Sequence, residues 1–254
     1  MKSHFKQCAW LVLFSIAMGF LEAAVVIYLR ALYYKDGFQF PLTEMEPTLA
    51  VTEVVREAAT IIMLSGVAVM AGQSTYQRFA FFLTAFGVWD IFYYVFLKII
   101  LDWPASILTW DILFLLPVPW VGPVLTPCVV SLTMILLAAV MYDIDRRNLS
   151  GRINMLEWLL ILSGSSVILL SWTWDYFSFD QGYPMISIEK SLQFFSTYIP
   201  QNYHWWVFGL GEGLMLSGVF IFFYRTHRRD KKTHRKSKVV SFLSGKQNTP
   251  QNPI

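Results

Sequence analysis

The residues of this chain that could do chemistry stand inside long apolar runs. The segment EVVREAATIIML, residues 53–64, opens with Glu53, Arg56 and Glu57, which share one helical face because residues three or four apart are neighbours on a helix. Three more carboxylates interrupt other apolar runs: Glu22, Asp90 and Glu212. Carboxylates in apolar surroundings can relay protons, act as acid or base, or bind a cation. We therefore predict a ligand-binding or proton-relay site made of Glu22, Glu53, Arg56, Glu57, Asp90 and Glu212.

The charge balance of this predicted site is uneven, with five carboxylates and one arginine. An ionised side chain at the centre of a bilayer costs at least ~2.5 kcal/mol, so these groups should face one another and not lipid. Arg56 can neutralise one carboxylate, and the others then need a proton, water in a cavity or a bound cation. An alternative stays open, in which a salt bridge and protonated carboxyl groups only hold the helices together.

The residue types around the site limit its cofactors. Of the four histidines, only His204 falls near the predicted site, because His4, His227 and His234 lie near the chain termini. Haem and zinc sites would lack His and Cys ligands, and residues 203–224 hold no lysine that could carry retinal. No cofactor is evident, although a cation held by oxygen ligands is possible. The metal and the catalytic residues, if there are any, stay unidentified.

The elements that must position these residues are transmembrane helices. Apolar residues make up 56% of the 254-residue chain and aromatic residues 17%, a composition typical of an integral membrane protein. A run of about 20 apolar residues spans the hydrocarbon core as a helix. Six runs of this kind predict six spans, over 8–30, 49–72, 79–101, 121–142, 156–174 and 203–224. The predicted fold class is an all-α, polytopic membrane helix bundle.

The positive residues predict how the chain is threaded, because Lys and Arg are enriched in cytoplasmic loops. They precede span 1, lie between spans 2 and 3 and between spans 4 and 5, and fill the C-terminal segment. Both termini are therefore predicted to be cytoplasmic, in the cell membrane or, in a bacterium, the inner membrane. A seventh crossing within 102–120 would invert half of this pattern. We predict an outer re-entrant or interfacial half-helix there, since its short apolar run ends in prolines.

This threading places the predicted carboxylate site in the outer half of the bilayer. Four residues are predicted at its outer rim: Asp111, Trp120, Asp175 and His204. Seven of the ten tryptophans also fall on the outer side, and such an aromatic mouth could accept a lipophilic molecule or a cation. An asymmetric interfacial belt explains the same skew.

The proline-rich stretch LLPVPWVGPVLTP is either a cavity wall or an interfacial turn. In the last outer loop, the apolar spacing over 188–199 predicts a short amphipathic helix lying on the membrane surface.

The chain divides into a transmembrane domain, residues 1–224, and a basic cytoplasmic tail, residues 225–254, that we expect to be disordered. The tail holds nine Lys and Arg residues against one Asp. Because it directly follows a span and has no interleaved aromatic residues, anionic lipid headgroups are the expected partner and nucleic acid is not.

Three classes of function fit these features. The favoured class binds or transports a small lipophilic or cationic ligand with proton or cation coupling. The second is a membrane-embedded enzyme that acts on a lipid-linked substrate at the outer leaflet, so whether the protein is an enzyme stays open. The third is an accessory or assembly subunit with a partner in a membrane complex.

Overall fold

The computed structural model describes residues 2–34, 37–147, 149, 151–179, 184 and 186–246. Within them the chain forms seven helices and one two-stranded sheet. In chain order these are α1 (Lys2–Tyr33), α2 (Pro47–Ala71), α3 (Thr75–Leu101), β1 (Trp110–Phe114), β2 (Trp120–Pro123), α4 (Leu125–Arg146), α5 (Met155–Ser178), α6 (Ile188–Thr197) and α7 (Trp205–Lys246).

Six of these helices are long and apolar enough to cross a membrane: α1 to α5 and α7. The prediction of a six-span helical bundle is confirmed, and the protein is a multi-pass membrane protein. Local signals explain where several spans begin. Proline stands at the first turn of α2, where no backbone N–H is needed. Ser74 caps α3, and Asn154 and Glu157 form a capping box at the start of α5.

Two of the apolar clusters among the described residues hold the spans together. One lies among α3, α4, α5 and α7, and the other joins α1, α2 and α3 around Leu11, Leu64 and Phe81. Glycines allow α5 and α7 to approach closely, since a Cβ added at Gly164 would lie 2.6 Å from the carbonyl oxygen of Gly211. Small residues at helix contacts are typical of membrane bundles, where close backbone packing drives association. The pairing of α7 with α5 is therefore built into the sequence.

One end of the bundle, here called the basic end, is held by ion pairs. Arg225 of α7 donates to both carboxylate oxygens of Glu157, at 2.6 and 2.8 Å, and Glu157 is completely buried. Arg147 and His227 both contact Asp143 of α4. Beyond Arg225, α7 continues to Lys246, whereas a disordered tail was expected from 225 onward. The expectation for residues 247–254 lies outside the described residues.

The segment 102–120 differs from the prediction, because it forms no half-helix. It forms turns and most of an antiparallel hairpin, in which Asp111 of β1 pairs with Gly122 of β2. Aromatic and β-branched residues in WDILF and WVGP favour strands. Pro117 and Pro119, which have no N–H to donate, fall in the connection between the strands. The hairpin joins α3 to α4 at the end of the bundle opposite the basic end. This end is here called the cavity end, after the cavity described below.

The predicted short amphipathic helix is present as α6. Phe194 on its buried side is completely covered, and the backbone N–H of Leu42 donates to the carbonyl of Phe195 at 2.8 Å. This contact joins α6 to the segment between α1 and α2. Together with the hairpin, the two segments lie around the ends of the first three helices.

Candidate ligand-binding cavity

A cavity of about 670 Å³ opens at the cavity end, between α1, α2, α3, the hairpin, α6 and the segment that precedes α2. Its volume falls in the range of small-molecule binding sites. Apolar side chains form much of its wall, among them Val26, Leu29, Ala50, Val54 and Phe114. Seven charged residues from α1, α2, α3 and β1 line it as well: Glu22, Arg30, Glu53, Arg56, Glu57, Asp90 and Asp111. The cavity thus combines an apolar wall with a strongly polar region.

The first polar group is built around Arg56 of α2. Its Nε donates to Glu53, one helical turn earlier, at 2.8 Å, and its Nη1 donates to Glu22 of α1. The Thr60 hydroxyl lies 3.3 Å from the second oxygen of Glu22. One guanidinium therefore joins α1 to α2 and faces two carboxylates, whereas the sequence predicted that it would neutralise one.

Glu57 makes a different kind of contact. Its carboxylate accepts a hydrogen bond from the backbone N–H of Leu115 at 2.8 Å. Leu115 directly follows β1, so this bond ties α2 to the hairpin. Within the described residues, Glu57 has no cationic partner at salt-bridge distance.

The third polar group pairs α1 with the hairpin. Arg30 of α1 donates to Oδ1 of Asp111 at 3.4 Å. The Cζ atom of its guanidinium lies 3.7 Å from the ring centroid of Trp103 and 4.3 Å from that of Phe38. Burial raises the pKa of Asp111 to about 6, and the nearby Arg30 opposes that rise. Oδ2 of Asp111 and Nε of Arg30 lack a hydrogen-bond partner of ordinary geometry among the described residues. The pair is thus buried but incompletely satisfied.

Asp90 lies where α3 meets α4. It accepts a hydrogen bond from the Ser131 hydroxyl at 2.7 Å, and it is near enough to Asp111 and Glu22 to feel their charge. Like Glu57, it has only a neutral partner among the described residues. The neighbouring Trp89, which also lines the cavity, has a buried Nε1 without a partner there.

The structure separates some predicted residues from this group. Glu212 accepts from the Thr133 hydroxyl of α4 and does not line the cavity, because the glycine contact holds α7 against α5 and away from α1 and α2. Of the predicted rim, Asp111 is a buried residue of the cavity wall. The other three lie outside the cavity: Trp120 stacks on Trp172, Asp175 accepts from Tyr198, and His204 packs on Trp174.

Sequence reasoning missed Arg30 as a second cation, and Phe38 and Trp103 as its aromatic neighbours. One signal was present: Glu22, Val26 and Arg30 recur at intervals of four, which places them along one side of α1, and all three line the cavity. Nothing in the sequence indicated that the backbone N–H of Leu115 would donate to Glu57, because every residue except proline has a backbone N–H.

No protein-family model, no curated protein and no solved structure matches this chain. Within the described part of the chain, no group of three or more His, Cys, Asp or Glu side chains is arranged to hold a metal ion. The shape and chemistry of the cavity are therefore the features that indicate a function.

Proposed function

We propose that this membrane protein binds a small amphipathic molecule in the cavity, with proton or cation coupling through the lining carboxylates. The observation that supports this most is the cavity itself, which places apolar walls beside buried charged groups. Such a site fits a molecule with an apolar body and one polar head, because each part meets matching surface. Polar groups that served only to join helices would need no open volume between them.

An apolar cluster lies between the cavity and the basic end of the bundle. Toward the basic end, the first three helices pack around an apolar cluster that includes Met18, Ala68 and Ala85. A carrier would have to open this cluster in a second conformation, since alternating access requires an exit on the other side. This feature favours the second candidate function, an enzyme that takes a lipid-linked substrate and releases its product at the same end.

Binding can be tested with probes of one chain length and different heads: decylamine, decanol and decanoate. Equilibrium dialysis compares nanodiscs that contain the protein with protein-free nanodiscs, so that partition into lipid is subtracted. The control is Ala50→Trp, which fills the cavity from α2. The proposal expects at least one probe to bind the wild type and to lose binding in Ala50→Trp. If no probe shows binding that depends on an open cavity, while the variant melts within a few degrees of the wild type, the proposed function is wrong.

Transport needs a separate readout. The probe that binds is loaded into liposomes that contain the protein, and its release is followed with and without a pH gradient. Release that depends on the gradient and is lost in Ala50→Trp supports a carrier. Binding without release supports the one-sided enzyme or a binding protein. A partner that co-purifies in fixed ratio with a protein that binds none of the probes would instead support an assembly subunit.

A further inference from the structure

We infer that the ligand of the cavity is an organic cation, an amphipathic amine, and that Glu57 and Asp90 are its counter-ions. The inference rests on the proposed function and adds the charge class of the ligand. It follows from which charged groups of the cavity already have partners.

The two arginines of the cavity are already neutralised. Arg56 contacts both Glu22 and Glu53, and Arg30 contacts Asp111 and lies against two aromatic rings. An anionic ligand would have to displace a carboxylate from a buried guanidinium and leave that carboxylate without a partner. Removing one member of a buried ion pair is strongly unfavourable. The guanidinium groups therefore do not offer a free anion site.

Two carboxylates of the cavity are in the opposite situation. Among the described residues, Glu57 accepts only from the Leu115 N–H, and Asp90 accepts only from the Ser131 hydroxyl. A buried carboxylate with a single neutral donor lacks the compensating charge that its ionised form needs. The ammonium group of a ligand would supply that charge. Glu57 approaches the cavity from α2 and Asp90 from α3.

A second observation points to a donor on the ligand. Asp111 lines the cavity and is only 2% exposed; its Oδ2 has no partner at ordinary hydrogen-bond geometry, although the Tyr94 hydroxyl lies near this carboxylate. An ammonium N–H can donate to that oxygen. The unpartnered donors, Nε of Arg30 and Nε1 of Trp89, need only neutral oxygen acceptors and do not call for an anionic ligand. The favoured ligand is therefore an amine.

The field and the volume of the site agree with this class. Glu44 and Glu189 also line the cavity, so acidic groups outnumber basic ones around it and attract cations. A metal ion would need several ligand oxygens around one point, an arrangement that the described residues do not provide. A volume of about 670 Å³ with apolar walls suits an organic body better than a small ion.

The test compares the three decyl probes at neutral pH, where an alkylamine carries a positive charge, decanol is neutral and decanoate is negative. We expect decylamine to bind the wild type most tightly. Glu57→Gln and Asp90→Asn should each weaken decylamine binding by about tenfold or more, the effect of losing one charged hydrogen bond, and should weaken decanol binding much less. Glu212→Gln, a neutralised buried carboxylate outside the cavity, should bind all three probes as the wild type does.

The outcomes separate this inference from the proposed function. If decanol or decanoate binds as tightly as decylamine, and that binding is lost in Ala50→Trp, the cavity binds ligands but the charge class is wrong. If Glu212→Gln weakens decylamine binding as much as Glu57→Gln does, the effect comes from neutralising any buried carboxylate. That result would also overturn the inference. If Glu57→Gln and Asp90→Asn do not fold, the order of affinities for the wild type still decides. Absence of cavity-dependent binding by any probe overturns both proposals.

Discussion

Replacing Arg56 by methionine should destabilise the protein more than any other single charge change in the cavity. Methionine keeps an unbranched side chain but removes the guanidinium that contacts Glu53, at 2.8 Å, and Glu22. The side chains of these two glutamates are only 8% and 11% exposed. Both would be left buried without a cation, and breaking a buried pair from one side costs about 3 to 5 kcal/mol of unfolding free energy.

The same reasoning predicts that the loss can be reversed by removing more charge. In the triple variant Glu22→Gln, Glu53→Gln, Arg56→Met, the ionisable groups of this contact are gone. Replacing a buried ionic group by neutral residues of similar volume is often neutral or stabilising. We therefore expect the triple variant to unfold close to the wild type, so that the three changes are strongly non-additive.

Equilibrium unfolding in mixed micelles, with increasing sodium dodecyl sulfate and far-UV circular dichroism as the signal, measures these differences. Lys98→Met is the matched control, since Lys98 and Asp102 form an ion pair at 2.7 Å whose side chains are 50% and 93% exposed. An exposed pair contributes little, so this variant should behave as the wild type. A loss below ~1 kcal/mol for Arg56→Met, or a triple variant no more stable than the single one, would refute the ionic contact described here.

Two further predictions concern the hairpin and the helix contacts. Because burial raises the pKa of Asp111 from 3.8 to about 6, the folded protein holds this proton more tightly than the unfolded chain does. Ionisation of Asp111 should therefore lower the free energy of unfolding as the pH rises through that interval, by up to roughly 3 kcal/mol. Asp111→Asn should flatten this part of the plot of melting temperature against pH. An unchanged slope in the variant would contradict the raised pKa of Asp111. Gly164→Ala should lower the melting temperature, since its Cβ would lie 2.6 Å from the Gly211 carbonyl oxygen. Gly213→Ala, whose added Cβ meets no atom within 4 Å, should leave the melting temperature unchanged. Equal effects of the two variants would show that the α5–α7 contact is looser than described.

The sequence allowed the spans and the contact between Glu53 and Arg56 to be predicted because both follow from local rules. The length of an apolar run decides whether a helix can cross the bilayer, so the predicted span 49–72 matches α2, Pro47–Ala71. The spacing of Glu53 and Arg56 decides that they meet on one helix. The need to neutralise buried charge predicted only that these groups face one another, and it did not single out Glu22 on α1 as a partner of Arg56.

The remaining features depend on how helices pair, which the local pattern does not record. Glu212 has the same residue type and an apolar setting like that of Glu57, yet the close approach of Gly164 and Gly211 turns it toward α4. The hairpin was mistaken for a half-helix because a short apolar run fits a strand or a helix equally well by its periodicity. Arg30 was missed because it stands at the end of a predicted span, where an arginine ordinarily reaches water.

The bond between Glu57 and Leu115 restricts the two positions unequally over evolution. Its donor is a main-chain N–H, so nineteen of the twenty amino acids at position 115 could supply it, and proline alone could not. Its acceptor is a side chain of one particular length. Drift in the hairpin sequence would therefore leave the attachment intact, while a change at position 57 to any residue other than glutamine would remove the acceptor oxygen and alter the ligand site at once.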